Sequence, residues 1–166
     1  MGVIDERLTI HGSTFGVRSA TEGDLAAIVA LLTDDVLGKH REAEGGNLTP
    51  YRRAFEMIAT NPNQELVVVE REGEVVATFD LATLPSLSRR GAVRMQVEAV
   101  RVASEARGSG LGTAIFEWII DRARRSGCDL VQLTSDRTRA GAHDFYERLG
   151  FVGSHVGYKL DLRATT

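Results

Sequence analysis

Val97-Glu98-Ala99-Val100-Arg101-Val102, followed after four intervening residues by Arg107-Gly108-Ser109-Gly110-Leu111-Gly112-Thr113, decides the fold of this chain. From Val93 to Ala99 the apolar residues are the odd-numbered ones, Val93, Met95, Val97 and Ala99, with Arg94, Gln96 and Glu98 on the other face. At Val100 the parity reverses, because Val100 and Val102 are apolar and Arg101 is polar. One face stays buried through such a reversal if a β-bulge takes up an extra residue near Ala99 and Val100. A strand end buried on both faces loses alternation too. The glycine-rich run then leads into an apolar helical pattern opening at Leu111. A strand feeding a turn and a helix N-terminus presents unpaired backbone N–H groups to an anion, so the run is a candidate phosphate site. Its spacing is neither that of the dinucleotide fingerprint nor that of the Walker loop. A plain turn is the alternative reading of such glycines.

Downstream, Leu111, Ala114, Ile115, Trp118, Ile119 and Ala123 make a helical stripe that stops at Ser126-Gly127. Leu130 to Thr134 reads as a strand, and Asp136 to Ala140 as a polar turn. A helix carrying Ala142, Phe145, Tyr146 and Leu149 then ends at Gly150. Phe151-Val152 and Val156 to Leu162 predict a closing strand pair or one long strand.

Upstream, Leu84 to Gly91 is a loop, and Leu66–Arg71 and Glu74–Leu81 form a hairpin around Glu72-Gly73. Pro50 starts a helix that stops at Asn61-Pro62-Asn63. Thr21, with Glu22 and Asp24, opens another, which buries Leu25, Ile28, Val29, Leu31 and Leu32. Phe15 to Arg18 is the first strand. The sum is a mixed α/β domain over 15–162, with an N-terminal extension 1–14 and a tail 163–166.

At 166 residues the chain is one domain by size, burying roughly two-thirds of its unfolded surface. The single cysteine, Cys128, has no partner for an internal disulfide, which fits a reduced, cytoplasmic setting. Met1 to Ile10 carries Asp5, Glu6 and Arg7 and lacks the apolar core of a signal peptide, and no apolar run reaches membrane length. His11, His40, His143 and His155 are not spaced as metal ligands, so no metal site is expected. Net charge is −3, divided as 7 Lys/Arg against 14 Asp/Glu in residues 1–88 and 13 against 9 in 89–166. The basic half contains the candidate phosphate turn, which leaves the acidic half for a cationic reactant such as an amine. Accidental surface asymmetry explains the split as well. An acidic chain without a basic run argues against nucleic acid as a partner.

Two motifs in order, Val100 to Gly112 and then Asp144-Phe145-Tyr146-Glu147-Arg148-Leu149-Gly150-Phe151, resemble the GCN5-related N-acetyltransferase (GNAT) superfamily. The resemblance extends over about Phe15 to Leu162. It implies a mixed, mostly antiparallel sheet with a splayed, bulged strand pair and flanking helices, acetyl-coenzyme A as cosubstrate, and frequent homodimers. By position, Val100, Arg101 and Val102 would offer backbone groups to the pantetheine arm. Arg107, Gly108, Ser109, Gly110, Leu111, Gly112 and Thr113 would hold the pyrophosphate. Tyr146 matches the family's general acid. Many members carry asparagine seven residues before that tyrosine; here the position is Arg139, which reaches either a coenzyme phosphate or solvent.

Acetyl transfer to an amine needs a neutral nucleophile, and a lysine-like amine has a pKa of about 10.4, so a base or a water chain must take its proton. Glu98, on the polar face of the bulged strand, is the candidate; orienting the substrate or binding a water is its other reading. A phenol such as Tyr146 would protonate the departing thiolate, whose pKa is about 8.5 by analogy with cysteine. A backbone N–H at the bulge would meet the carbonyl oxygen as charge develops on it. The leading expectation is direct acetyl transfer to a primary amine of a small molecule, an amino acid derivative or a protein. A non-catalytic acyl-coenzyme A binding module and an unrelated nucleotide-binding domain are the alternatives. The acceptor depends on the loops Thr33 to Thr49 and Leu84 to Gly91, which carry no readable code.

Overall fold

A computed structural model describes residues 4–34 and 47–162. The chain forms two compact units, Met1–Leu133 and Thr134–Thr166. The first is a six-stranded sheet in sequence order: β1 (Asp5–Ile10), β2 (Ser13–Ser19), β3 (Gln64–Arg71), β4 (Glu74–Pro85), β5 (Val93–Val102) and β6 (Leu130–Leu133). Neighbours are antiparallel except β5 with β6, which are parallel. Among the described residues its helices of nine residues or more are α1 (Leu25–Thr33), α2 (Thr49–Ala59) and α3 (Leu111–Arg125), with a single helical turn at Ser88–Gly91. Residues 35–46, most of the stretch Thr33 to Thr49 expected to bear on the acceptor, lie outside the described residues, as do 1–3 and 163–166.

The sheet begins earlier than the sequence reading placed it. Asp5–Ile10 pairs with β2 along its whole length, around a two-residue turn in which His11 and Gly12 take φ of 48° and 82°. The reason the strand is hard to read is Glu6. It sits on the half-buried side of β1, where its carboxylate accepts a 2.8 Å hydrogen bond from the Trp118 indole N–H, so a charged residue stands where alternation asks for an apolar one. The second hairpin is where the sequence put it, with Glu72 and Gly73 at φ of 55° and 86°. Both turns use the left-handed pair that matches strand twist.

Val67, Val69, Phe79, Leu81, Met95 and Val97 of the sheet are buried, as are Leu111, Ile115 and Ile119 of α3. Phe79 meets Trp118 at 5.8 Å between ring centroids. Arg122 of α3 is nearly buried, paired with Glu65 of β3 and stacked 5.5 Å from the Trp118 ring, which leaves neither charge uncompensated.

Helix α1 is preceded by a short 3-10 turn, Glu22–Asp24, that starts as the sequence implies. Asp24 Oδ2 accepts from the Thr21 backbone N–H at 2.7 Å and from the Thr21 hydroxyl at 2.9 Å. Arg18 of β2 then donates to both carboxylate oxygens at 2.8 and 2.9 Å, fastening the helix start to the sheet. The Arg18 guanidinium, helped by Thr21 and opposed by burial, holds the Asp24 carboxyl well below the usual carboxylate range. A depressed folded-state pKa stabilises the fold above the unfolded value, about 3.9, and that contribution disappears as pH falls towards the folded one. Asp24→Asn is therefore expected to lower stability by about 1–3 kcal/mol at pH 7. The gap from the parent should narrow below pH about 4, as urea titrations at both pH values will read.

The second unit contains a helix, α4 (Ala140–Arg148), ended by Gly150 at φ 89°. The strand or strand pair expected over Phe151–Val152 and Val156–Leu162 is absent; no regular structure occurs from Phe151 to Leu162. Val156, Tyr158, Leu160 and Leu162 alternate as a strand face does, yet all four are exposed. Alternation specifies which side chains share a face, and a strand also needs a neighbour to receive its hydrogen bonds.

Candidate active site

The parity reversal in β5 is a β-bulge. Register runs Asp80↔Glu98 and then Thr78↔Arg101, so Phe79 alone on β4 stands across from Ala99 and Val100 on β5. Ala99 takes the extra turn at φ 52°, outside the comfortable range for a residue with a Cβ. On the other side of β5, the parallel pairing runs from Arg94↔Leu130 to Val97↔Leu133 and stops. Among the described residues, Glu98 to Val102 therefore continues with β4 as its one sheet neighbour. The Arg101 side chain donates to the Val100 carbonyl at 2.8 Å, so that carbonyl, assigned to a pantetheine contact, already has a donor.

Past Val102 the chain makes a 3-10 turn, Ser104–Ala106, then Gly108 and Gly110 at φ of 75° and 87°, and enters α3 with Gly110 as its N-cap. Two left-handed glycines in three residues turn the backbone so that Gly108 to Thr113 form the rim of a 15-residue helix at its positive end. Ser109 Oγ donates to the Ala106 carbonyl at 2.7 Å and accepts from the Leu111 N–H at 3.4 Å, bracing the turn from within. Leu111 is fully buried and anchors it. A Cβ on Gly110 would stand 3.6 Å from Ile10 Cγ2 and 3.8 Å from His11 Nε2, so the tip of the first hairpin lies against the turn. Arg107 is directed elsewhere: its Nε donates to the Val102 carbonyl at 2.9 Å and its Nη2 pairs with Asp34 at 2.9 Å. These bonds tie the turn to β5 and to the end of α1.

Glu98 is exposed on the face of β5 opposite the buried Met95 and Val97, and Gln96 Nε2 donates to its Oε1 at 2.8 Å. Directly across the ladder is Asp80, which sequence reasoning missed. Gln64 of β3 donates to Asp80 Oδ2 at 2.8 Å, while Asp80 Oδ1 is buried without a hydrogen-bond partner. Burial pushes the Asp80 carboxyl up from its ordinary pKa; the Gln64 bond opposes that, and the Glu98 charge adds to it. The available signal was a lone carboxylate inside the run Val75 to Leu81, which is otherwise apolar except for Thr78. Gln64 also lines a cavity of about 260 Å3 between α2 and β3, with Phe55, Ile58 and Leu66 as its apolar wall.

Tyr146 and Arg139 belong to the second unit. Arg139 is the N-cap of α4, and its carbonyl accepts from the N–H groups of Ala142 and His143 at 2.9 and 3.1 Å. Tyr146 is half-buried, its ring edge-on to Phe145 and Phe151 at 5.4 and 6.0 Å. Among the described residues there is no group of three or more His, Cys, Asp or Glu side chains placed to hold a metal ion, and no helix long and apolar enough to cross a membrane.

Comparison with known proteins gives the family and the fold. The family model described as "Acetyltransferase (GNAT) family" matches residues 22–151. The crystal structure of a transcriptional regulator from Bacillus halodurans C-125 superposes with a TM-score of 0.85 at 43% identity, covering 89% of this chain and 99% of that one. An aminoalkylphosphonate N-acetyltransferase from Salmonella typhimurium is 27% identical over 142 residues, 86% of this chain and 88% of its own. A Pseudomonas aeruginosa L-methionine sulfoximine/L-methionine sulfone acetyltransferase is 29% identical over 160 residues, 88% of this chain and 90% of its own.

Proposed function

The chain belongs to the Acetyltransferase (GNAT) family, and from that premise we propose that it transfers an acetyl group from acetyl-coenzyme A directly to the primary amine of a small molecule. The observation that carries the cosubstrate is the turn: two left-handed glycines and the first amides of α3 make a backbone cradle of the kind that receives a diphosphate, with no side chain at Gly108 or Gly110 to hold it away. The bulge beside it supports the assignment of Val100, Arg101 and Val102 to the pantetheine arm. The Salmonella relative is named for N-acetylation of aminoalkylphosphonates and the Pseudomonas relative for acetylation of L-methionine sulfoximine and L-methionine sulfone, small polar compounds that support the acceptor class.

Glu98 is assigned the proton of the acceptor's ammonium group. It is a solvent-accessible carboxylate on β5, two residues before Val100. Tyr146, by its place in the Phe-Tyr motif, is assigned the proton delivered to the departing thiolate, and Arg139 a role towards the coenzyme in place of the family's asparagine. Arg107 acts here through structure, holding the turn to β5 and Asp34. A purely ligand-binding role, which the description of the Bacillus halodurans relative raises, predicts coenzyme A binding without turnover.

Release of free thiol from acetyl-coenzyme A across a panel of aminophosphonates, amino acid analogues and simple amines separates the two. At least one amine is expected to turn over, and Tyr146→Phe should slow it by about 10²-fold or more while leaving coenzyme A affinity within about twofold. Binding of acetyl-coenzyme A with no acceptor consumed by any amine would favour the ligand-binding role.

A further inference from the structure

We propose that Arg94 binds the acceptor through an acidic group, so that the amine acetylated here belongs to a small zwitterion whose carboxylate or phosphonate lies on Arg94 while its ammonium end faces Glu98. The inference deepens the acetyl-transfer reading by naming the acceptor class, and it rests on that reading's placement of the amine at Glu98.

An unmatched cation carries the argument. Arg18 and Arg122 are arginines shielded by the fold, and each has carboxylate partners: Asp24 and Glu70 for the first, Glu65 for the second. Arg94 of β5 is half-buried as well, yet it forms no ion pair with any described residue. Its Nη1 reaches the Gln132 side-chain oxygen at 3.5 Å, the long limit of a hydrogen bond, and its Nε is shut off from solvent without an acceptor. A shielded donor left over in this way asks for an explanation, and a cation asks for an anion. The guanidinium fork has the shape that grips a carboxylate or phosphonate through two parallel N–H bonds.

The neighbours of Arg94 supply no such anion. Directly across the two ladders stand Leu84 on β4 and Leu130 on β6. Helix α1, which packs on β4 and β5, contains no ionisable residue. Asp129, just before β6, is engaged with the main chain, where its Oδ2 accepts from the Val93 N–H at 2.7 Å. Asp80 lies two rows along β4, opposite Glu98, and takes its hydrogen bond from Gln64.

Position gives the length of the acceptor. Arg94, Gln96 and Glu98 leave β5 on one face, and the four-residue step between the two charged ones spans about 13 Å of backbone. Gln132, the residue that Arg94 reaches, stands opposite Gln96, so the guanidinium is drawn one row towards Glu98. Roughly 7 Å separates that row from Glu98, a span suited to a compound with only a few bonds between its nitrogen and its acid. An amino acid or a short aminophosphonate meets a charge of opposite sign at each end. A simple alkylamine uses the Glu98 end alone and leaves Arg94 unmatched.

The test uses paired probes that differ by the acidic group: L-alanine against L-alanine methyl ester, and aminomethylphosphonate against methylamine. The Arg94 Nε–H resonance is followed by NMR as each is titrated into the protein, with and without coenzyme A, so that no acetyl group is available and no turnover is needed. A saturable shift is expected with at least one acid and not with its uncharged counterpart, and the acid that gives it separates carboxylate from phosphonate recognition. With that acid as acceptor, Arg94→Gln should raise KM about 10- to 100-fold while kcat and coenzyme A affinity stay close to the parent values. Arg94→Lys, which keeps the charge and loses the fork, should fall between the two and serves if the glutamine variant folds poorly. KM for methylamine should be the same in all three proteins. No saturable shift with either acid, or a KM for the acid that is indifferent to both substitutions, overturns the proposal and leaves acetyl transfer standing. A saturable Arg94 shift with no turnover of any amine would keep the anion site and count against the acetyl-transfer reading.

Discussion

Gly110→Val is expected to lose coenzyme A binding while the domain stays folded. The N-cap of α3 sits at φ 87°, and a β-branched residue in the left-handed region costs about 1–2 kcal/mol, a tolerable fraction of a domain's stability. The new Cβ would be in ordinary contact with Ile10 and His11, 3.6 and 3.8 Å away, so packing alone does not forbid it. Binding suffers because the isopropyl group crowds the hairpin tip beside the turn, and relief of the backbone strain rotates the amides assigned to the diphosphate. Losing two hydrogen bonds to a charged group, at about 1.5 kcal/mol or more each, corresponds to a weakening of ~100-fold or greater. Calorimetric titration with coenzyme A measures it, and circular dichroism shows whether the fold persists. Parent-like affinity in a folded variant would take the phosphate away from this turn.

Glu98→Gln carries the second large effect. The amide keeps the shape of the side chain but takes no proton from an ammonium group, so kcat at pH 7 should fall about 10²-fold or more. The limb of the pH–rate profile that needs a carboxylate base should vanish, leaving a climb towards the amine's own pKa, about 10.4 for an alkylamine. Coenzyme A affinity should not change, because Glu98 lies on the other side of the bulge from the amides proposed to hold the diphosphate. An unaltered pH–rate profile would return the proton to water or to another side chain.

The parts of this molecule that were legible in the sequence are those in which each residue obeys a local rule. Thr21 and Asp24 announced the start of α1, Glu72-Gly73 the hairpin turn, and Gly127 and Gly150 the helix ends, since each has a backbone requirement few residue types satisfy. The bulge was readable for a related reason: Met95 and Val97 before it, and Val100 and Val102 after it, keep to one face of the sheet only if Ala99 is passed over.

What escaped reading depends on partners far away in sequence. Glu6 breaks the pattern of β1 because its carboxylate belongs to Trp118, 112 residues on, and nothing in the first ten residues says so. Asp80 is the same case inside the site: its meaning comes from Glu98 across the ladder and Gln64 on the far side, neither visible from the run that contains it. The segment Val156 to Leu162 failed in the opposite direction. Its apolar alternation is perfect, yet those side chains are exposed and no strand forms, because local pattern cannot supply a neighbouring edge.

Main-chain amides at the start of α3 are expected to grip the diphosphate of the cosubstrate. Titrating the isotopically labelled protein with coenzyme A, and with acetyl-coenzyme A, while following every backbone amide by NMR tests that grip most directly. The largest shifts are expected at Gly108 to Thr113, with a second group at Val100 to Val102 and none of comparable size along α2. Saturable binding that leaves Gly108 to Thr113 unmoved and perturbs another region would contradict it.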